Sequence, residues 1–194
     1  MPSKPHPGGR PRDAELDERI LAATRELLAV HGYQGLSIAA VAEAAGTTRP
    51  SVYLRFTDKK DLATRAIAGM NVSDELQTSE DVQADLVAEL RHFRTAVTRP
   101  NGMAFVGTVL AEEQHTPDLI AHFRARLVEP RRRRVGGVLE RGMRSGVLRP
   151  GLDVDVVTTA LIGSIYARYL ATGDVPADWP ERTVASVWPG ICQS

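Results

Sequence analysis

Apolar residues recur along this chain at spacings of three and four, and no stretch alternates with period two between turn signals. That pattern predicts an all-α protein. Leu16, Ile20, Ala23, Leu27 and Val30 form the first stripe, with Thr24, Leu28 and His31 beside it. Asp13 is placed to cap this helix, acids follow at Glu15, Asp17 and Glu18, and Gly32 stops it after about five turns. Ser37 caps a short second helix with the face Ile38, Val41, Ala42 and Ala45, and Gly46 ends it. Thr47 or Thr48 caps a third, whose first turn holds Pro50, where a missing N–H costs nothing. Val52 and Phe56, four apart, turn inward, and Asp58 caps a fourth helix reaching about Leu76.

The remainder continues in the same period. Helices are expected over 81–97 and 103–115, the first of them stopped by Arg99-Pro100-Asn101-Gly102. Thr116 caps a long one, with Pro117 at its first position, that Pro130 should kink or split. Another runs over 153–172 and is stopped by Gly173; the last begins at Asp178, with Pro180 in its first turn. Residues 1–12 hold four prolines and two glycines and read as a flexible arm.

Composition narrows the classes. A chain of 194 residues allows one or two domains, and 43% hydrophobic with 25% charged residues is ordinary for a soluble globular protein. Net charge is zero, so the chain as a whole does not advertise a polyanionic partner. Its distribution does more. Lys4, Arg10 and Arg12 stand in the arm without an acid, and Arg49, Arg55, Lys59 and Lys60 face Asp58 alone within 49–60. One cysteine, Cys192, excludes an internal disulfide or a cysteine zinc cluster and fits a reducing cytosol. The N-terminus lacks a signal-peptide h-region, and no apolar run reaches the roughly 20 residues of a membrane span. A cytoplasmic, nucleoid-associated protein is expected, and the scarcity of lysine beside arginine suggests a high-GC bacterial genome.

The stretch 31–62, HGYQGLSIAAVAEAAGTTRPSVYLRFTDKKDL, carries the chemistry. Two short helices meet at a tight turn at Gly46, and the small residues Ala39, Ala40, Ala42, Ala44 and Ala45 let them approach closely. The second presents Thr47, Thr48, Arg49, Pro50, Ser51 and Tyr53 at a helix N-terminus, hydroxyls and a guanidinium suited to phosphates and base edges. Tyr53 could instead belong to the core, and Lys59 and Lys60 could be plain surface lysines. Cations at a helix start are unfavourable unless a phosphate accompanies them, which favours a DNA contact.

Over about residues 13–65 the sequence resembles the TetR family of repressors. The Gly-Tyr-x-x-Leu-Ser-Ile opening, the Ala-Gly turn, the Val-Tyr-x-Arg-Phe close and the Asp-Lys-Lys-x-Leu start of the next helix carry the resemblance. It implies an all-α fold with an N-terminal three-helix helix-turn-helix DNA-binding domain at 13–60 and a helical ligand-binding and dimerisation domain at 61–194. It implies base reading by Thr48, Arg49 and Pro50, and phosphate contacts by Ser51, Tyr53 and Lys59. The family often has histidine where this chain has Arg55. The Glu-Pro-Arg-Arg run and the Tyr-Ala-Arg-Tyr-Leu segment resemble one TetR-type C-terminal subfamily more loosely.

Arg12, with Arg10, resembles a minor-groove arm, or forms a solubilising tail. Arg131 to Arg134 spread around a helix circumference and read as a solvated, salt-bridged surface rather than a second nucleic-acid patch. His92, His115 and His122 with Glu112 and Glu113 lack any metal-ligand spacing, and no nucleophile motif or dinucleotide fingerprint is present. No enzyme, cofactor or metal site is therefore expected. Phe93, Phe105, Leu110, Phe123, Tyr166 and Tyr169 are the candidates to line an effector pocket. Ala160, Gly163, Ser164, Ala167 and Ala171 form a small-residue stripe, and Val184, Val187, Trp188 and Ile191 an apolar face. Helices 153–172 and 178–191 are the natural homodimer seam. The expected function is a ligand-responsive repressor, binding a pseudo-palindromic double-stranded operator as a dimer and released by a small apolar effector.

Overall fold

The computed structural model describes residues 10–68, 70 and 79–193, with the side chains of residues 10–13 outside the description. Its elements are α1 (Arg10–Gly35), α2 (Ile38–Ala44), α3 (Arg49–Tyr53), α4 (Lys59–Ala68), α5 (Val82–Thr98), α6 (Gly102–Ala111) and α7 (Pro117–Phe123), a π-helical turn (Arg124–Val128), then α8 (Glu129–Arg144), α9 (Val154–Thr172) and α10 (Trp179–Ile191). Among the described residues there is no strand, and Leu148 and Cys192 form an isolated bridge.

Local chemistry explains most boundaries. Ser37, Thr48, Asp81 and Asp153 each accept a backbone N–H from the first turn of the helix they cap. Asp58 does the same for α4 through the N–H of Asp61, while the Asp61 carboxylate accepts from Thr57, so two orphan donors are satisfied reciprocally. Gly173 closes α9 in the left-handed conformation. Pro130 cannot donate to the preceding turn, and the helix changes winding there without ending: α7, the π-helical turn and α8 run on continuously across 117–144.

Other boundaries differ from the sequence expectation. α1 begins at Arg10, three residues ahead of Asp13, so the helix takes in the end of the presumed arm; residues 1–9 lie outside the description. Gly32 does break the helix, and a further helical turn follows it to Gly35. The buried line of α1 is Ile20, Thr24 and Leu28, while Val30 is exposed. Thr24 can stand in that line because its hydroxyl donates to the Ile20 carbonyl at 2.7 Å and so loses its need for water. α4 ends at Ala68, and the rest of its expected course to Leu76 lies outside the described residues.

The chain divides into two compact units, residues 1–71 with 103–126, and 72–102 with 127–194. In the first, α1 packs on α2 and α4, α2 on α3, and α4 on α7, around Ile20, Leu28, Val41, Val52, Leu62 and Ile67. Here α6 is tied to α1 by the Thr108 hydroxyl donating to the Leu28 carbonyl at 3.1 Å. In the second unit α5 packs on α8, α9 and α10, around Leu86, Leu90, Phe93, Leu139, Leu161 and Ile165.

Candidate nucleic-acid interface

The interface is assembled from the capped pair α2 and α3. Val41 and Ala42 bury the inner face of α2. At the turn Gly46 takes φ 63°, and the N–H of Thr47 reaches back to the Ala42 carbonyl at 2.8 Å. This left-handed position suits glycine. Thr48 caps α3: its hydroxyl oxygen accepts from the Ser51 N–H at 3.4 Å and lies 3.1 Å from the Ser51 hydroxyl. Val52 and Phe56 then anchor the helix in the core, at 0% and 3% exposure. With those residues inside, the opposite side of the turn must face outward. Arg49, Pro50 and Tyr53 are exposed there, together with Leu54.

Each expected DNA residue has a definite setting. Arg49 is exposed and has no fixed partner among the described residues, so its fork is available to a base edge. Pro50 is exposed beside it, while Thr47 and Ser51 are half-buried. The hydroxyl of Thr48 is engaged as a cap. Tyr53 is 57% exposed, which sets aside a place in the core. Lys59 donates to the Gln34 carbonyl at 3.3 Å and stands 4.6 Å over the Tyr33 ring, so α1 holds its ammonium at the start of α4. Arg12 falls within α1, and its side chain lies outside the description.

Neighbouring charges brace the site from within. Arg55 donates from Nε to Asp17 at 2.6 Å and from Nη1 to the Ser51 carbonyl at 3.0 Å. It therefore ties the end of α3 to α1. Lys60 pairs with Asp118 of α7, and that hydrogen bond, with its attraction, raises the lysine pKa and lowers that of the aspartate. Buried Glu112 accepts from Gln34 at 3.2 Å and from Thr116 at 3.2 Å. Tyr33 lies beside this group; burial raises its pKa, against the hydrogen bond with Thr116. These bonds fasten the segment after α6 and the start of α7 to α1 and α4.

The expected pocket residues fall into two groups. Phe93 and Tyr166 meet edge to face at 5.3 Å in the second unit, with Tyr169 half-buried one turn further along α9. Phe105 and Phe123 pack together at 6.2 Å in the first unit, where Leu110 is 54% exposed. The four arginines of α8 correct the sequence reading in one respect. Arg132, Arg133 and Arg134 do pair, with Asp155, Glu129 and Glu89, but Arg131 is buried, not solvated. A signal for it was present: Arg131 stands four residues before Val135 and eight before Leu139, on the line that α8 buries.

A short helix held from behind by Val52 and Phe56, offering a free arginine and a tyrosine from a glycine turn, defines a DNA-binding helix-turn-helix regulator. Comparison with known proteins carries this to a family. Residues 20–66 match the model for bacterial regulatory proteins, tetR family, and residues 76–187, more than half of the chain, match the tetracyclin repressor-like C-terminal domain. The chain belongs to the TetR family of transcriptional regulators, DNA-binding proteins without enzymatic activity. It is 29% identical over 169 residues to YdeS of Bacillus subtilis (strain 168), an uncharacterized HTH-type transcriptional regulator, covering 86% of this chain and 84% of the relative. It is 26% identical over 183 residues to the HTH-type transcriptional repressor AcnR of Corynebacterium diphtheriae, covering 89% and 93%. A transcriptional regulator of Saccharomonospora viridis solved in complex with choline shares the fold, with TM-score 0.74 and 21% identity over 93% of this chain and all of its own. No helix among the described residues is long and apolar enough to cross a membrane.

Proposed function

We propose that this protein is a ligand-responsive repressor that binds a pseudo-palindromic operator as a homodimer and is released by a small, largely apolar effector. One observation carries the reading: α3 buries Val52 completely while Arg49, at its first turn, is exposed and unpaired among the described residues. Arg49 reads a guanine edge, Pro50 and Thr48 shape the contact beside it, and Ser51, Tyr53 and Lys59 with Thr47 hold the phosphate backbone. Arg12 enters the adjacent minor groove. Residues 13–60 contact DNA, and 61–194 serve the effector and the dimer. Such a protein works in the cytoplasm, at the nucleoid.

The dimer is assigned to α9 and α10. On α9, Ala160, Ala167 and Ala171 are exposed, Leu170 is 84% exposed, and a Cβ added at Gly163 would meet nothing within 4 Å. Small exposed positions with one large apolar neighbour support close approach of a second copy. On α10, Val184 and Ile191 are used inside the chain, leaving the half-buried Val187 and Trp188 for the partner. Two copies present two recognition helices to successive major grooves, as a two-fold operator requires.

Release follows from differential binding. An effector that favours another spacing of the two recognition helices opposes DNA reciprocally. Reversing a 99:1 preference takes about 5.5 kcal/mol of differential affinity, which calls for a well-enclosed effector. Phe93, Tyr166 and Tyr169 are the proposed lining in the second unit, and choline in the Saccharomonospora viridis protein supports a small organic molecule as the class. Thr108, Glu112 and Asp118 fasten α6 and α7 to α1 and α4, so a shift of either helix is felt at α3. The test is operator selection from random and genomic DNA. A single inverted repeat bound by a dimer is expected, and binding without sequence preference would remove the repressor reading.

A further inference from the structure

The second unit contains a buried charge that has no ion-pair partner of its own among the described residues. Three arginines of α8 point toward α5. Arg141 pairs with buried Asp85, and Arg134 with buried Glu89. Arg131 is left over. It is 8% exposed, it makes no hydrogen bond or ion pair among the described residues, and its Nε is sealed without a partner. Its guanidinium lies 4.2 Å over the centre of the Phe93 ring, itself fully buried. A buried charge without hydrogen bonds is costly, and a single stacking contact does not replace the water it lost. Burial accordingly lowers the Arg131 pKa to about 10.

A second polar group stands open in the same place. Tyr166 packs its edge on Phe93 at 5.3 Å, and its hydroxyl has no hydrogen-bond partner among the described residues. Burial raises the pKa of this tyrosine and the charge of Arg131 opposes the rise, and both side chains pack against the same Phe93 ring. Stacking uses the face of a guanidinium and leaves its edge free, and that edge is the part that binds a carboxylate end-on.

We infer that the effector is an apolar monocarboxylate whose carboxylate is held by Arg131 and the Tyr166 hydroxyl, with its hydrocarbon part among the apolar side chains of α5 and α9. The inference rests on the repressor reading and names the chemistry of its effector. Glu89 attracts Arg131 but is already paired with Arg134, so among the described residues three arginines of α8 meet two acids of α5, and one further negative charge completes the balance. A cation would add to the imbalance, and a phosphate dianion would exceed the charge of Arg131, the one arginine stacked on Phe93 among the described residues.

Full-length protein is melted with sodium octanoate, with its neutral analogue octanamide, and alone. Octanoate at about a hundredfold excess over its Kd should raise Tm by roughly 5–10 °C, and octanamide should not. Arg131→Met, which removes the uncompensated charge and keeps the packing on Phe93, should melt higher than wild type without ligand and lose the response to octanoate. Tyr166→Phe is the gentler variant, and should weaken octanoate binding severalfold by calorimetry; it decides the matter alone if Arg131→Met does not fold. Octanoate should also release operator from the wild type. Equal shifts with octanoate and octanamide, no shift with either, a response kept in Arg131→Met, or binding without release would each overturn the inference. Failure of the ligand-free protein to hold any operator would instead strike the repressor reading.

Discussion

Replacing Gly46 with alanine isolates the turn that aims the recognition helix. The backbone there stands at φ 63°, and a Cβ would meet nothing within 4 Å. The substitution therefore introduces no clash, and its cost is the strain of an L-residue in the left-handed region, about 1–2 kcal/mol. Reduced freedom of the unfolded chain offsets roughly 0.4–1 kcal/mol of that. The net loss of about 1 kcal/mol should lower Tm by about 2–4 °C in a protein of this size. Because the hydrogen bond from Thr47 to Ala42 and the burial of Val52 are untouched, operator affinity measured well below Tm should stay within about twofold, under 0.5 kcal/mol. Gly46→Asn should recover much of the lost stability, since asparagine tolerates this conformation. Calorimetry and fluorescence anisotropy on the same samples give both numbers. A fall of tenfold or more in affinity with Tm unchanged would show that glycine is required for close approach to DNA, and would refute this account of the turn.

Three further outcomes are expected. Lys59→Ala should weaken binding to operator and random duplex alike and shallow the slope of log affinity against log salt by about one, while an unchanged slope would show that its ammonium serves only Gln34 and Tyr33. A Cβ at Gly163 meets nothing within 4 Å in one chain, so Gly163→Ala keeps the fold and Gly163→Leu crowds a partner seated there; a shift of the leucine variant from dimer toward monomer in sedimentation is expected, and an unaltered dimer would place the seam elsewhere. Asp17→Ala removes the carboxylate from Arg55, at 20% side-chain exposure, and should cost about 1 kcal/mol of stability and loosen α3, read as faster amide exchange at Val52 and Tyr53; unchanged exchange would mean that the remaining contacts of Arg55, the Ser51 carbonyl among them, hold the helix end.

What sequence could tell was local. Caps declare themselves because one side chain serves a backbone group two or three residues away, which is why Ser37, Asp81, Asp153 and Gly173 mark real boundaries, while at Pro130 the helix continues past a π-helical turn. The helix-turn-helix was legible for the same reason, its turn at Gly46 and its anchors at Val52 and Phe56 lying within eleven residues. Long-range partners were not legible. Nothing near Arg55 in sequence points to Asp17, so a residue read as a basic surface group is in fact a brace. Nothing near Glu112 points to Gln34. Arg131 sat on the apolar line of α8, but the run of four arginines suggested solvent more strongly than the period suggested burial. The first unit also takes α6 and α7 beside α1 to α4, a grouping that no composition change in the sequence marks.

The central claim is that Arg49 reads sequence from the first turn of α3, and one titration tests it most directly. Wild-type protein and Arg49→Ala are titrated by fluorescence anisotropy against the selected operator and against a scrambled duplex of equal length at fixed salt. The account predicts a loss of roughly 1–3 kcal/mol on the operator, about 5- to 150-fold, with nearly unchanged binding to the scrambled duplex and relaxed preference at one base position of each half-site. Equal losses on both duplexes, or none on the operator, would contradict it.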